Sequence, residues 1–170
     1  MSGPRHDPLP LALKAYHKGD LKQAERLLAK MLHSVPNDFN ALHLLGLVRA
    51  AKGAFGDAER LIARALQFGN SPEAFSNHGN VLSELGRHDE AIKRYRRALL
   101  IKPQYAEAQF NLGNALMKCG QVEEAARSFA DAIRIRPDYR EALQNIAQPL
   151  RELGRQNEAV VMLRRAVTLD

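Results

Sequence analysis

Hydrophobic and small residues along this chain of 170 residues recur in blocks of about 34. Gly19 has counterparts at Gly53, Gly86, Gly120 and Gly154, at successive steps of 34, 33, 34 and 34 residues. A small residue repeats in the same register: Ala24, Ala58, Ala91, Ala125 and Ala159. A period of this length is typical of a chain built from stacked supersecondary units.

Each block predicts two helices joined by a glycine turn. From Tyr105 to Cys119 the apolar residues recur at spacings of three and four, which is one face of an α-helix. Gly120 then ends the helix, and a second apolar stripe runs from Val122 to Ile135. A bulky residue repeats in the second helix and is expected to fill the space between the two helices: Leu28, Ile62, Tyr95, Phe129 and Leu163.

The blocks predict an all-α domain over residues 9–170, after a flexible lead-in of residues 1–8. The expected repeats are about 5–38, 39–71, 72–105, 106–139 and 140–170. The junction before Pro72 is expected to be irregular, with Ser71 as the cap of the next helix. Pro149 lies inside a predicted helix and is expected to kink it between Asn145 and Leu150.

The glycine, alanine, aromatic and proline pattern resembles the tetratricopeptide repeat (TPR) family, whose unit is a helix-turn-helix of 34 residues. The resemblance covers about Asp7 to Asp170. It implies a right-handed solenoid in which the first helices line a concave groove and the second helices form the outer wall. Fold alone does not assign a function, so function depends on the residues in the groove.

Carboxamide residues recur three apart on the predicted first helices, where the two members of a pair share a face. The pairs are Asn77 with Asn80, Asn111 with Asn114, and Asn145 with Gln148. A carboxamide offers both donors and an acceptor, so it can bond to the backbone of an extended peptide. The alternative is a structural role, in which each asparagine bonds to a neighbouring repeat.

The segment from Asn111 to Asn114, Asn-Leu-Gly-Asn, is similar to the repeated motif of the O-linked N-acetylglucosamine transferases. That resemblance implies a ladder of asparagines that clasps peptide backbones. The first two repeats depart from it, since Leu44 and Leu47 occupy the corresponding positions. No transferase catalytic domain is present in the sequence.

Charge and apolar contacts refine the predicted groove. Glu73, Glu107 and Glu141 are expected to form an acidic stripe, which favours a neutral or basic segment over an acidic tail. Apolar contact is expected from Leu44, Leu47, Phe110 and Met117. The net charge of +6 comes largely from the second helices, where a solvated outer face is expected and nucleic-acid binding is not.

No catalytic, metal or cofactor site is predicted. The six histidines lack metal-ligand spacing, and His78 is expected to be structural. The one cysteine, Cys119, is expected to be a buried small hydrophobe, which points to the cytoplasm. Neither a signal peptide nor a membrane span is predicted.

The sequence therefore predicts a non-catalytic scaffold that binds an extended peptide or protein segment. Two alternatives remain: the substrate-recruiting arm of a larger glycosyltransferase, and a self-assembling scaffold. The self-assembly alternative rests on the last repeat, where exposed apolar residues are expected to support a homodimer: Val160, Leu163, Val167 and Leu169.

Overall fold

The computed structural model describes residues 8–169, and every regular element in that range is an α-helix. The predicted all-helical fold of helix-turn-helix repeats is confirmed. Contacts divide the chain into two compact units, with the boundary between Leu85 and Gly86. Of the predicted lead-in, residues 1–8, the first seven lie outside the described residues, and Pro8 already begins the first helix.

In the described part of the first unit, residues 8–85, there are five helices. They are α1 (Pro8–His17), α2 (Leu21–Ser34), α3 (Phe39–Ala51), α4 (Phe55–Ala65) and α5 (Pro72–Glu84). Helix α1 pairs with α2 and α3 pairs with α4, while α2 and α4 each pack on the helix that follows.

In the described part of the second unit, residues 86–169, there are six helices. They are α6 (His88–Ile101), α7 (Ala106–Lys118), α8 (Val122–Ile135), α9 (Arg140–Asn145), α10 (Ala147–Glu152) and α11 (Gln156–Val167). Helix α7 pairs with α8 and packs on α6, and α11 packs on both α9 and α10.

The periodic glycines end the first helix of each repeat. All five have a positive φ, between 71° and 76°, which a residue with a side chain rarely adopts. At Gly120 the Gln121 N–H bonds to the Leu116 carbonyl at 2.9 Å, and the Gly120 N–H bonds to the Met117 carbonyl at 3.1 Å. This pair of bonds is the Schellman motif, which satisfies carbonyls that the helix leaves open.

The junction before α5 is the irregular one that the short second repeat predicts. Six residues separate α4 from α5, whereas four separate α6 from α7. The Ser71 Oγ accepts a hydrogen bond from the Ala74 N–H at 3.0 Å, which confirms Ser71 as the cap of α5.

The predicted packing position between the paired helices is buried in four repeats. Leu28 and Ile62 are fully buried, and Tyr95 and Phe129 are at most 2% exposed. The small residue opposite allows this close approach, since a Cβ on Gly113 would lie 2.7 Å from Cε1 of Phe129. Leu163 differs because it is 36% exposed, on the open side of α11.

The helix that contains Pro149 is interrupted at Ile146, as predicted. Helix α9 ends at Asn145 and α10 begins at Ala147. Ile146 keeps helical dihedrals, with φ −65° and ψ −20°. The interruption follows from the missing N–H of Pro149, which would otherwise bond to the Asn145 carbonyl.

Candidate functional site

Three of the predicted carboxamides come together on α7, α9 and α10. The Asn145 Nδ2 donates a hydrogen bond to the Asn114 Oδ1 at 2.9 Å, which joins neighbouring repeats. Asn145 and Gln148 are exposed and Asn114 is half-buried. The Gln148 Nε2 donates to the Glu152 Oε1 at 3.1 Å. The pair of asparagines leaves the Asn114 NH₂ group and the Asn145 oxygen for other partners.

These side chains line an open cavity of about 470 Å³ in the second unit. Its wall combines carboxamides, two cations and apolar groups. The lining residues are Asn114, Met117, Lys118, Phe129, Gln144, Asn145, Ala147, Gln148, Arg151 and Leu163. Met117 lines the same cavity as the carboxamides.

In the first unit, Asn77 bonds to a histidine and not to another carboxamide. The Asn77 Nδ2 lies 3.1 Å from the His43 Nε2, across the α3–α5 contact. Burial lowers the pKa of His43 below its ordinary value, although the Glu73 carboxylate opposes this shift. A neutral imidazole accepts the amide hydrogen, so Asn77 takes the structural role that the sequence left open as an alternative. Asn80 and Asn111 are half-buried and have interactions of their own.

Glu107, the middle residue of the predicted acidic stripe, forms an ion pair with an arginine. An oxygen of Glu107 accepts from Nη1 of Arg136 at 2.9 Å, which compensates its charge. The Arg136 guanidinium also lies over the Tyr139 ring, 3.7 Å from its centroid. Glu73 and Glu141 are exposed, and an oxygen of Glu73 lies 3.3 Å from the Ser71 Oγ. Arg136 therefore compensates the charge of Glu107, and the acidic stripe stays a prediction.

Two of the predicted apolar contacts are part of the core or packed against it. Leu44 is 5% exposed within the hydrophobic cluster of α1, α2 and α3, so a ligand cannot reach it and the prediction is wrong there. Leu47 is half-buried against the same cluster. Phe110 is half-buried between Phe129 and Tyr139, with ring centroids 5.8 and 5.0 Å away.

Lys118 and Arg151 were not predicted as site residues. Lys118 follows Asn114 by four residues, and Arg151 follows Gln148 by three, so each shares a helix face with a carboxamide. That spacing is visible in the sequence and could have identified both residues.

Two other reactive side chains of the described residues, those of His78 and Cys119, lie away from this cavity. His78 is 1% exposed, with its Nε2 3.3 Å from the Glu59 Oε1, which supports the structural role predicted for it. Cys119 is half-buried and its Sγ lies 3.7 Å from the Asp89 Oδ1, so its predicted full burial is wrong. Burial, together with Asp89, raises the pKa of Cys119, which disfavours the reactive thiolate.

Within residues 8–169, no three histidine, cysteine or acidic side chains are grouped to hold a metal ion. None of the helices described is long and apolar enough to cross a membrane.

Sequence-family models match nearly the whole described chain. Two models described as "Tetratricopeptide repeat" match residues 9–74 and 106–139, a third matches 141–170, and one described as "TPR repeat" matches 79–118. Together with the helical repeats, these matches define a TPR protein. The chain belongs to the tetratricopeptide repeat family.

Solved structures share this fold. A crystal structure of MamA has 26% identity and a TM-score of 0.86, covering 93% of each chain. A second MamA structure has 26% identity and a TM-score of 0.84, covering 95% of this chain and 89% of that one. YrrB, described as "a TPR protein with an unusual peptide-binding site", has 23% identity and a TM-score of 0.81, covering 96% and 84%. None of the curated protein sequences matches this chain.

Proposed function

We propose that this chain is a non-catalytic scaffold that holds an extended peptide segment on the carboxamides of α7, α9 and α10. The observation that carries the proposal is that Asn145 and Asn114 keep a donor group and an acceptor at the edge of a cavity, although they also bond to each other across two repeats as the structural alternative expects. An extended peptide presents a C=O and an N–H at regular intervals, and a carboxamide pair can bond to both.

Backbone recognition by carboxamides tolerates many side chains, which suits a scaffold. Met117 and Leu163 add apolar area beside the amides, for a ligand side chain to contact. Each net hydrogen bond contributes about 0.5–1.5 kcal/mol, so several are needed for useful affinity.

The preference for a neutral or basic segment was inferred from three carboxylates. Arg136 compensates the charge of Glu107, which weakens that inference, and the preference stays a prediction. The transferase-like asparagine ladder stays a prediction, as does the alternative that this chain recruits substrates for a glycosyltransferase. A cytoplasmic location and the absence of nucleic-acid binding are likewise predictions from the sequence.

The experiment is selection from a random decapeptide library with the full chain as bait. We expect the selected pool to bind the Asn114→Ala, Asn145→Ala double variant about five- to a hundredfold more weakly, since two or more bonds are lost. Asn157→Ala is the matched control, because Asn157 is an exposed asparagine on α11 that does not line the cavity.

Thermal unfolding of both variants checks that the fold is kept. The proposal is wrong if the library yields no binders, or if the double variant retains the pool as well as the Asn157→Ala control does.

A second candidate function is self-association through α11, for which a specific observation exists. Val160, Leu163 and Val167 are 46%, 36% and 68% exposed, and with Arg164 and Thr168 they line a shallow apolar depression. We propose a two-fold contact between two copies at this face.

Val160→Lys with Val167→Lys is expected to lower the mass measured by sedimentation. A parent chain that is monomeric at high concentration would contradict this candidate.

A further inference from the structure

A second open site in the second unit, the α8–α11 groove, has a volume of about 280 Å³. Its floor is apolar. Ala126, Ile146 and Leu150 are at most 5% exposed, and Leu153 and Met162 are half-buried. None of the described residues that line this groove also lines the cavity beside the carboxamides. The groove is therefore a separate site.

The preceding repeat bridges the equivalent pair of helices with an ion pair. There Arg96 on α6 pairs with Glu124 on α8 at 2.6 Å. Ala130 follows Arg96 by 34 residues and takes its place in the next repeat. Glu158 takes the place of Glu124, and it pairs instead with Arg155, at the start of α11, at 2.7 Å. The small side chain of Ala130 therefore leaves the space between α8 and α11 open.

Two charged side chains of α8 lie at the edge of the groove. Glu123 and Arg127 both line it and are exposed. Among the residues that the structure describes, neither has an ion-pair partner. They are four residues apart, so opposite charges lie one helical turn from each other on the same face. A partner with a cation and an anion one turn apart complements both charges.

The lining favours a helical partner over an extended one. No carboxamide is among the described residues of the groove, and its floor consists of apolar side chains. An extended segment would leave backbone N–H and C=O groups without hydrogen-bond partners there. A helix bonds these groups internally and can present apolar side chains on one face.

We propose that the α8–α11 groove docks an amphipathic helix of a partner protein. A large apolar side chain of that helix packs on the floor formed by Leu150 and Met162, and its charges face Glu123 and Arg127. This interaction goes beyond the proposed function, because it uses different residues and a ligand of different conformation.

The probe is a library of helical peptides of about 20 residues on an alanine-rich background. One face carries leucine, methionine or phenylalanine beside a charge pair one turn apart, which is lysine with glutamate, two lysines or two glutamates. Binding to the full chain is measured by fluorescence anisotropy. We expect the lysine–glutamate library to bind about two- to fivefold more tightly than either like-charged library. A central proline, which breaks the helix, should weaken its binding about tenfold or more.

Ala130→Arg restores the arginine of the preceding repeat and should close the groove. We expect this variant to bind the lysine–glutamate library about ten- to a hundredfold more weakly, because the apolar side chain is no longer buried. The matched control is Ala29→Arg. Ala29 is exposed, holds the same position in the first repeat and does not line the groove.

Thermal unfolding of both variants checks that the fold is kept. A second variant leaves the floor intact: Glu123→Gln with Arg127→Gln should remove the preference for the lysine–glutamate library. Decapeptides selected for the carboxamide cavity should bind Ala130→Arg as they bind the parent chain, so a failure of this inference is distinguishable from a failure of the proposed function.

The inference is overturned if the helical and proline-containing libraries bind equally, or if Ala130→Arg binds the library as well as Ala29→Arg does. Equal binding of the three charge libraries also overturns it. A further contrary result is self-association that Ala130→Arg abolishes and the helical library does not inhibit, because the groove would then hold a second copy of this chain.

Discussion

At the scale of single residues, the same substitution has opposite consequences at two helical glycines. A Cβ on Gly113 would meet three atoms of the buried Phe129 ring within 3.0 Å. A Cβ on Gly56 in α4 has no atom within 4 Å. We expect Gly113→Ala to destabilise the chain by about 1–3 kcal/mol through overpacking. Gly56→Ala should stabilise it by about 0.4–1 kcal/mol, because alanine in the first turn of α4 has less backbone entropy to lose on folding than glycine.

Urea denaturation of the two variants measures both free energies of unfolding. Equal effects of the same sign at the two glycines would contradict this account of the packing.

His43 is expected to make stability depend on pH. Its pKa is lowered in the folded chain, mainly by burial, so the unfolded chain takes up the proton first as pH falls. Stability is therefore kept above the ordinary histidine value of about 6.5 and is lost between that pH and the lower folded pKa. In His43→Gln the side chain can still accept from Asn77 and does not titrate.

The unfolding free energies of the parent chain and of His43→Gln are measured across pH 7.5 to 5. As pH falls, the parent chain should become less stable relative to the variant. A difference that stays constant with pH would show that the His43 pKa is not lowered by folding.

The sequence predicts the burial of core residues better than it predicts the polar contacts between repeats. The burial of Leu28, Ile62, Tyr95 and Phe129 follows from the period, since each repeat places the same position between its helices. The bonds from Asn77 to His43 and from Arg136 to Glu107 do not follow from it. Their partners are 34 and 29 residues apart, and the contact depends on side-chain rotamers that a sequence pattern does not specify.

At the scale of helices, α11 differs from α8 although both are second helices of their repeats. Helix α8 buries six residues, including Phe129 and Ile133, whereas α11 buries Ala159 and Ala166. Local unfolding is easiest where few apolar contacts are buried. We expect the amides of α11 to exchange with solvent faster than those of α8.

Hydrogen exchange followed by mass spectrometry measures this difference on the unmodified chain. Equal protection of the two helices in dilute solution would contradict the expectation. Slower exchange of α11 as chain concentration rises would indicate that self-association covers it.

Most helix boundaries could be predicted from the sequence, because glycine or proline residues lie at or near them. Gly120 ends α7 by its positive φ, and Pro149 interrupts the helix at Ile146 by its missing N–H. The repeat pattern alone treats Leu163 like the buried Phe129, whereas its place in the last repeat led us to expect its exposure. The cavity beside it was not predicted, because it depends on how α9, α10 and α11 pack.

At the scale of the whole molecule, the net charge alone does not identify a binding surface. The +6 charge includes arginines that pair with nearby carboxylates, such as Arg134 with Asp131 at 2.8 Å. Lys118 and Arg151, by contrast, line the cavity of the second unit.

The measurement that tests the central claim most directly is an NMR titration with the tightest-binding peptide from the unbiased library. Our account predicts that the side-chain NH₂ resonances of Asn114, Asn145 and Gln148 shift together and saturate with the same affinity, while those of Asn157 stay in place. Peptide binding that leaves the three carboxamides unshifted, or that shifts only residues of α11, would contradict it.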